Sequence, residues 1–246
     1  LKMLPNNEKI NEYSAICKEN LAIEPSLFGK YEVKRGLRDV SGKGVLAGLT
    51  TIAEIKSYII DDGEMVPCEG KLYYQGYDIE EIVKGFESQN RMGFEESTFL
   101  LLFGKLPTMN ELTEFRNQLV TYRELPTSFV RDVILKAPSR DMMNSLARSV
   151  LTLYSYDEKA EDVSIENVMR QSLQMISRFP RLSIYGYQAY KHYHEDRSLF
   201  IHAPLPELST HLLINLTPSI PMSTPGKSIS ASPGFCPAFI FARAPI

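Results

Sequence analysis

Tryptophan is absent from the 246 residues and cysteine is scarce. The three cysteines, Cys17, Cys68 and Cys236, are far apart, odd in number and form no Cys-x-x-Cys unit. Neither a disulfide framework nor a zinc site is suggested, and a reducing cytoplasm is the simplest setting. Apolar runs are short. None exceeds the five residues of Phe99–Phe103, whereas a membrane-spanning helix needs roughly twenty. The start, Leu1-Lys2-Met3-Leu4-Pro5-Asn6-Asn7, has no apolar segment behind a charged end and does not read as a secretory signal. Positive charge is not in excess either. The net charge is −3, so no basic field points to nucleic acid. Acids are missing from one region altogether. Residues 1–210 hold all 30, and residues 211–246 hold none. That tail instead carries Pro218, Pro221, Pro225, Pro233, Pro237 and Pro245, six of the fifteen prolines. Proline removes a backbone donor and clashes inside a helix, so the tail does not continue a helical plan and is expected to pack poorly.

Glycine is concentrated where proline is not. Residues 36–52 contain Gly36, Gly42, Gly44 and Gly48, four of the fourteen glycines. A phosphate-binding loop, G-x-x-x-x-G-K-[ST], would use Gly42-Lys43. It would also need glycine where Leu37 stands and a hydroxyl where Gly44 stands. A dinucleotide fingerprint, G-x-G-x-x-[GA], is matched by Gly42, Gly44 and Ala47, with Asp61 and Asp62 further on as ribose ligands. Its context fails. The preceding Tyr31-Glu32-Val33-Lys34-Arg35 is charged, where a buried parallel strand reads as an apolar run. These glycines read instead as turns and close backbone approaches.

The periodicity predicts a mainly α fold with short strands and turns over residues 37–77. A first helix spans residues 7–27, with Ile10, Tyr13, Ile16 and Cys17 as its stripe and Pro25 and Gly29 ending it. Residues 51–60 are β-rich, Asp61-Asp62-Gly63 is a turn, and Gly70 punctuates the chain again. Asp78 caps a helix to about Phe86. Phe94–Phe103 is an apolar helix closed by Gly104 and Pro107. Thr108 and Glu111 form a capping box for a helix to about Tyr122. Pro126 opens a further helix ending near Pro138. Asp141 opens one carrying Met143, Leu146, Ala147, Val150 and Tyr154 on one face. Ser164 opens another, with Ile165, Val168, Met169, Leu173 and Ile176 as its stripe. Pro180 is expected to break it, with residues 181–194 helical again, and Pro206–Thr210 starts one more helix.

Candidate chemistry is sparse. His192 and His194 are two apart, a spacing that does not put both on one helical face, and no cysteine is near to complete a metal set. His202 lies in a loop and His211 at the start of the tail. The acid pairs Asp61-Asp62 and Glu80-Glu81 are adjacent, which alone makes no general acid and base. No G-x-S-x-G elbow is present. The residues thus specify no catalytic set and no metal site.

The order of motifs nevertheless resembles the citrate synthase family, particularly its bacterial members. Gly36-Leu37-Arg38-Asp39-Val40, followed by Gly44-Val45-Leu46-Ala47-Gly48-Leu49-Thr50, looks like the family's N-terminal motif. Gly70-Lys71-Leu72-Tyr73-Tyr74-Gln75-Gly76-Tyr77-Asp78-Ile79 resembles its L-x-Y-R-G-Y segment, with Gln75 where arginine is usual. Phe94-Glu95-Glu96 through Leu106-Pro107-Thr108 resembles its F-E-E…L-L-x-G-x-L-P-T segment, and Pro206–Thr210 the entry to further helices. The resemblance covers residues 8 to 210 and implies a two-domain, helical, dimeric acyltransferase. Such an enzyme condenses acetyl-CoA with oxaloacetate, the first step of the tricarboxylic acid cycle, without metal or redox cofactor. An aspartate takes the methyl proton, two histidines serve the enol and the carbonyl, and arginines hold carboxylates.

The family's histidine-bearing motifs, H-x-E-H-G-G-G-N, G-P-x-H-G and G-H-x-x-Y, are not found in this sequence. No catalytic residue transfers, and His192, His194 and His202 do not fill the places. The sequence divides into an N-terminal arm (1–36), a partial large domain (37–210) and the proline-rich tail (211–246). Two accounts of the tail follow: loss of reading frame near Thr210 in a citrate or 2-methylcitrate synthase, or a non-catalytic helical module that pairs with an intact synthase subunit.

Overall fold

The structure, a computed structural model, describes residues 7–20, 22–31, 33, 48–62, 64–199 and 201. Most of the glycine stretch, His202, His211, the helix expected at Pro206–Thr210 and the tail 211–246 lie outside them. The described residues fall into two compact units, one on residues 12–108, the other on the first turn of α1 and the chain from Met109 onward.

α1 (Asn7–Asn20), whose residues from Glu12 on belong to the first unit, carries the expected stripe, with Ile10, Tyr13 and Cys17 buried. It ends at Asn20, earlier than the expected residue 27. Pro25 does not terminate it. Pro25 precedes a second short helix, α2 (Ser26–Lys30), which contains Gly29, in line with the preference of proline for helix starts. The rings of Tyr13 and Phe103 lie 4.9 Å apart, docking the helix on α4 (Phe94–Phe103).

β1 (Ala53–Asp61) and β2 (Glu64–Tyr74) form an antiparallel hairpin, and β2 continues into β3 (Tyr77–Asp78). Asp62 at the hairpin tip has φ 46, so the Asp61-Asp62 pair belongs to a turn as expected. Gly70 lies within β2, where punctuation was expected. Lys56 pairs with Lys71 and Tyr58 with Pro67, so Ser57 faces Cys68, Glu69 and Gly70 in a bulge. Gln75 (φ 50) and Gly76 (φ 83) turn the chain between β2 and β3, with Tyr74 paired to Tyr77. Two consecutive positive φ values make the tight hairpin turn whose twist matches the strands. The root of the hairpin packs inward: Tyr74, Ile82 and Leu100 form a core joined by Ala53, Leu72, Ile79 and Phe86.

Asp78 caps α3 (Ile79–Ser88) as expected, its Oδ1 accepting the Glu80 N–H at 2.9 Å. Gly104 closes α4 at φ 74, its N–H donating to the Leu100 carbonyl at 2.9 Å.

The second unit is helical. α5 (Met109–Tyr122) starts directly after Thr108, where the capping box places it. Between Pro126 and Pro138 stands a π-helical segment, Val130–Leu135, in place of the expected α-helix. Ser128 at φ 62 prevents an α-helix from starting at Pro126. The wider turn that follows keeps Phe129 and Ile134 in the core. Asp141 caps α6 (Met142–Tyr154), accepting from the Met143 and Asn144 N–H groups at 2.9 and 3.2 Å. Ser164 caps α7 (Ile165–His194) through the Asn167 N–H at 3.4 Å. Phe129, Ile134, Leu153, Leu182, Ile184, Tyr185 and Ala189 form one buried core cluster of this unit.

Pro180 does not break α7, which runs for 30 residues through it. The compensation is tertiary. α7 is tied to the end of α5 on both sides of the proline. Ser177 Oγ donates to the Leu119 carbonyl. Arg178 Nε donates to the Tyr122 and Glu124 carbonyls, both at 3.1 Å, and Arg181 Nη1 to the Arg123 carbonyl at 3.0 Å. The last carbonyls of a helix have no partner within it. Here the neighbouring helix supplies the donors. Buried Ile176, Ser177 and Leu182 hold the same stretch against the core.

Candidate functional site

Among the described residues, a polar cluster lies where the α6–α7 connection folds back on α7. Asp157 sits in that connection, and α7 presents Asn167, Arg170 and Gln171 to it. Arg170 Nη2 donates to both Asp157 oxygens at 2.8 Å. Its Nε and Nη2 also donate to Asn167 Oδ1, at 2.9 and 2.6 Å. Asn167 Nδ2 donates in turn to the Lys159 and Asp162 carbonyls at 2.8 and 2.7 Å, pinning the connection to the helix. Gln171 Nε2 and the Lys159 N–H each reach the Asp157 carboxylate at 3.1 Å. Burial alone would raise the Asp157 pKa. The Arg170, Gln171 and Lys159 donors outweigh it and hold the carboxyl below its ordinary value.

Arg178 lies two helical turns further along. Burial pushes its guanidinium below its ordinary pKa, with nearby Asp157 opposing and Arg170 adding to that shift. A groove of about 500 Å³ runs past these groups, lined by Tyr154, Tyr156, Arg170, Gln174, Met175 and Arg178 among others. A second, of about 490 Å³, shares Asp157 and Arg170 with it and is lined also by Asn7, Asn11, Asp162, Glu166 and Asn167. Neither is lined by histidine or cysteine. The arrangement can orient a loop and present a cation. It holds no nucleophile paired with a base.

The pairing gives a pH dependence. A carboxyl whose folded pKa lies below its unfolded value stabilises the fold above the unfolded pKa and loses that contribution as pH falls through the folded one. The wild-type urea midpoint is therefore expected to drop between pH 5 and pH 3 more than that of Asp157→Asn. At pH 7 the variant is expected to be less stable by about 1–3 kcal/mol, the range for hydrogen bonds to a charged, partly buried group. Parallel midpoint-versus-pH curves for the two proteins would overturn this role.

The residues singled out in the sequence are scattered. Asp61 and Asp62 are at the hairpin tip. Glu80 and Glu81 occupy the first turn of α3, where carboxylates suit the helix dipole. His192 and His194 are in the last turn of α7. His192 Nδ1–H donates to the Arg197 carbonyl at 2.8 Å, and the His194 ring lies 5.5 Å from that of Tyr190. Cys17 is buried and Cys68 exposed. Among the described residues no three metal-ligating side chains gather, and no helix is long and apolar enough to cross a membrane. Sequence reasoning missed Asp157, Arg170 and Arg178. The one available signal was the polar ridge Arg170, Gln174, Arg178 at four-residue spacing, the ridge along which helices pack.

The family model described as citrate synthase, C-terminal domain, matches residues 37–213. The chain belongs to the citrate synthase family. A citrate synthase of Haloferax volcanii is 34% identical over 150 residues, 59% of this chain and 34% of that protein. Curated relatives include 2-methylcitrate synthases as well as citrate synthases. Among solved structures, the citrate synthase of Pyrobaculum aerophilum superposes with a TM-score of 0.56 at 23% identity, covering 75% of this chain and 45% of that one. The ternary complex of Thermoplasma acidophilum citrate synthase with carboxymethyl coenzyme A and oxaloacetate gives 0.55 at 18% identity, covering 73% and 41%. At these identities the likeness concerns the fold, which is mostly helical with a small sheet, as the sequence predicts. The chain spans less than half the length of each of these proteins.

Proposed function

We propose that this chain forms part of the large helical domain of a citrate synthase-type acyltransferase and does not itself turn over substrate. The reaction of such an enzyme joins acetyl-CoA, oxaloacetate and water to give citrate and CoA. The observation that carries the proposal is the placement of the histidines. His192 and His194 sit in the last turn of α7, and neither they nor His202 and His211 stand in a family histidine motif. The domain division at residues 36 and 210, a cytoplasmic setting and a homodimeric assembly belong to the same proposal. Purified chain given acetyl-CoA or propionyl-CoA with oxaloacetate is expected to release no CoA above the blank. Turnover with either acyl-CoA would overturn it and show which acyl group is used. The acid-free tail supports a lost reading frame. Reading the gene in its other two frames beyond codon 210 is expected to show a helical continuation with a histidine-glycine motif.

A second reading is a non-catalytic module that pairs with an intact synthase subunit. It is favoured by α6, which exposes Met143, Leu151 and Tyr154. Stable co-purification with a full-length homologue would select it.

A further inference from the structure

We propose that the outer edge of β1 is a homotypic docking surface, on which a second copy of this chain adds its own β1 antiparallel about Ser57. The hairpin is covered at its root and bare beyond it. Ala53, Leu72 and Tyr74 pack on the core. Further out on the same face, Ile55 and Ile59 are 76% and 56% exposed, and Val66 is exposed beside them. β1 is the edge of the sheet, and among the described residues no strand pairs its other side. Of the usual defences of an edge it keeps the irregularity at Ser57 and its charged side chains, but it has no proline. Its nine residues contain no glycine, and their single lysine, Lys56, is paired with Glu54 at 3.5 Å.

The register of β1 on itself that sets its exposed isoleucines against one another is centred on Ser57. Centred on Ser57, an antiparallel copy sets Ile55 opposite the partner's Ile59, Ile59 opposite its Ile55, and Lys56 opposite its Tyr58. No like charges face one another, and the exposed isoleucines meet as cross-strand pairs. Moving the centre half a step, between Ser57 and Tyr58, brings Glu54 against Asp61 twice. Centring on Tyr58 sets Ile55 opposite Asp61. The Ser57 register also closes the edge symmetrically, as a two-fold contact must. It joins the two three-stranded sheets into one of order β3-β2-β1-β1-β2-β3, with Ile55, Ile59 and Val66 of each copy on one face. Main-chain hydrogen bonds supply the pairing and the isoleucines the register.

The test uses the full chain. Sedimentation equilibrium across a wide concentration range is expected to show reversible dimers. Ile55→Lys with Ile59→Lys is expected to weaken them by roughly tenfold or more, because exposed positions can accept lysine without loss of fold while opposing lysines repel. Ser57→Cys, in a background where Cys68 and Cys236 are serine, is expected to form a disulfide-linked dimer under mild oxidation. Lys84→Cys, on exposed α3, serves as control. A dimer that persists undiminished in the lysine variant, cross-linking of Ser57→Cys no greater than the control, or a wild-type chain that stays monomeric would each overturn the proposal. A dimer built on α6 gives the first two of these results, so the two surfaces are told apart.

Discussion

Arg178→Ala is expected to lower the stability of the helical unit by about 2–3 kcal/mol, read as a shift in the urea midpoint at constant slope. The side chain does three things at once. Its Nε–H serves the Tyr122 and Glu124 carbonyls, both at 3.1 Å. Its charge faces the negative end of the α5 dipole, a favourable position for a cation. Its side chain lines the groove along α7. Removing it leaves carbonyls at a helix end without their donor. Arg178→Lys is expected to recover only part of the loss, because an ammonium at the end of a flexible stem lacks the fixed Nε donor. Ser177→Ala and Arg181→Ala act on the same helix end through Leu119 and Arg123. The three losses should therefore combine non-additively, as for residues sharing one network. A change under about 0.5 kcal/mol for Arg178→Ala would mean that water replaces the arginine at those carbonyls.

The same contacts show where the sequence stopped being legible. Asp78, Gly104, Asp141 and Ser164 stand at the expected helix ends because capping is local, satisfied within three or four residues. Pro180 was misjudged because what offsets it is remote: the donors at Ser177, Arg178 and Arg181 meet carbonyls 54 to 58 positions earlier. The π-helical segment was missed for a related reason, since Ser128 carries no residue-type signal for its positive φ. Asp157 and Arg170 are thirteen residues apart, and their pairing depends on the path of the α6–α7 connection. The family, in contrast, was legible from motif order alone. Ordered short motifs outlast the drift that leaves 23% identity to the Pyrobaculum aerophilum structure.

Gly104→Ala is expected to cost about 2–4 kcal/mol, the sum of a left-handed backbone and an occupied space. Gly104 stands at φ 74, where a Cβ meets the neighbouring carbonyl, a term of roughly 1–2 kcal/mol. A Cβ here would also lie 2.2 Å from Asn20 Oδ1 and 2.6 Å from its Cγ. Asn20, the last residue of α1, is half-buried, so its amide has limited room to retreat. Gly76 separates the two terms. It has a similar φ of 83 with nothing within 4 Å of its Cβ position. Gly76→Ala is therefore expected to cost the backbone term alone, about 1–2 kcal/mol. Asn20→Ala in the Gly104→Ala background is expected to return the larger loss to that value. If Gly104→Ala and Gly76→Ala cost the same, Asn20 swings aside freely, and the close approach of α1 to the end of α4 does not constrain residue 104.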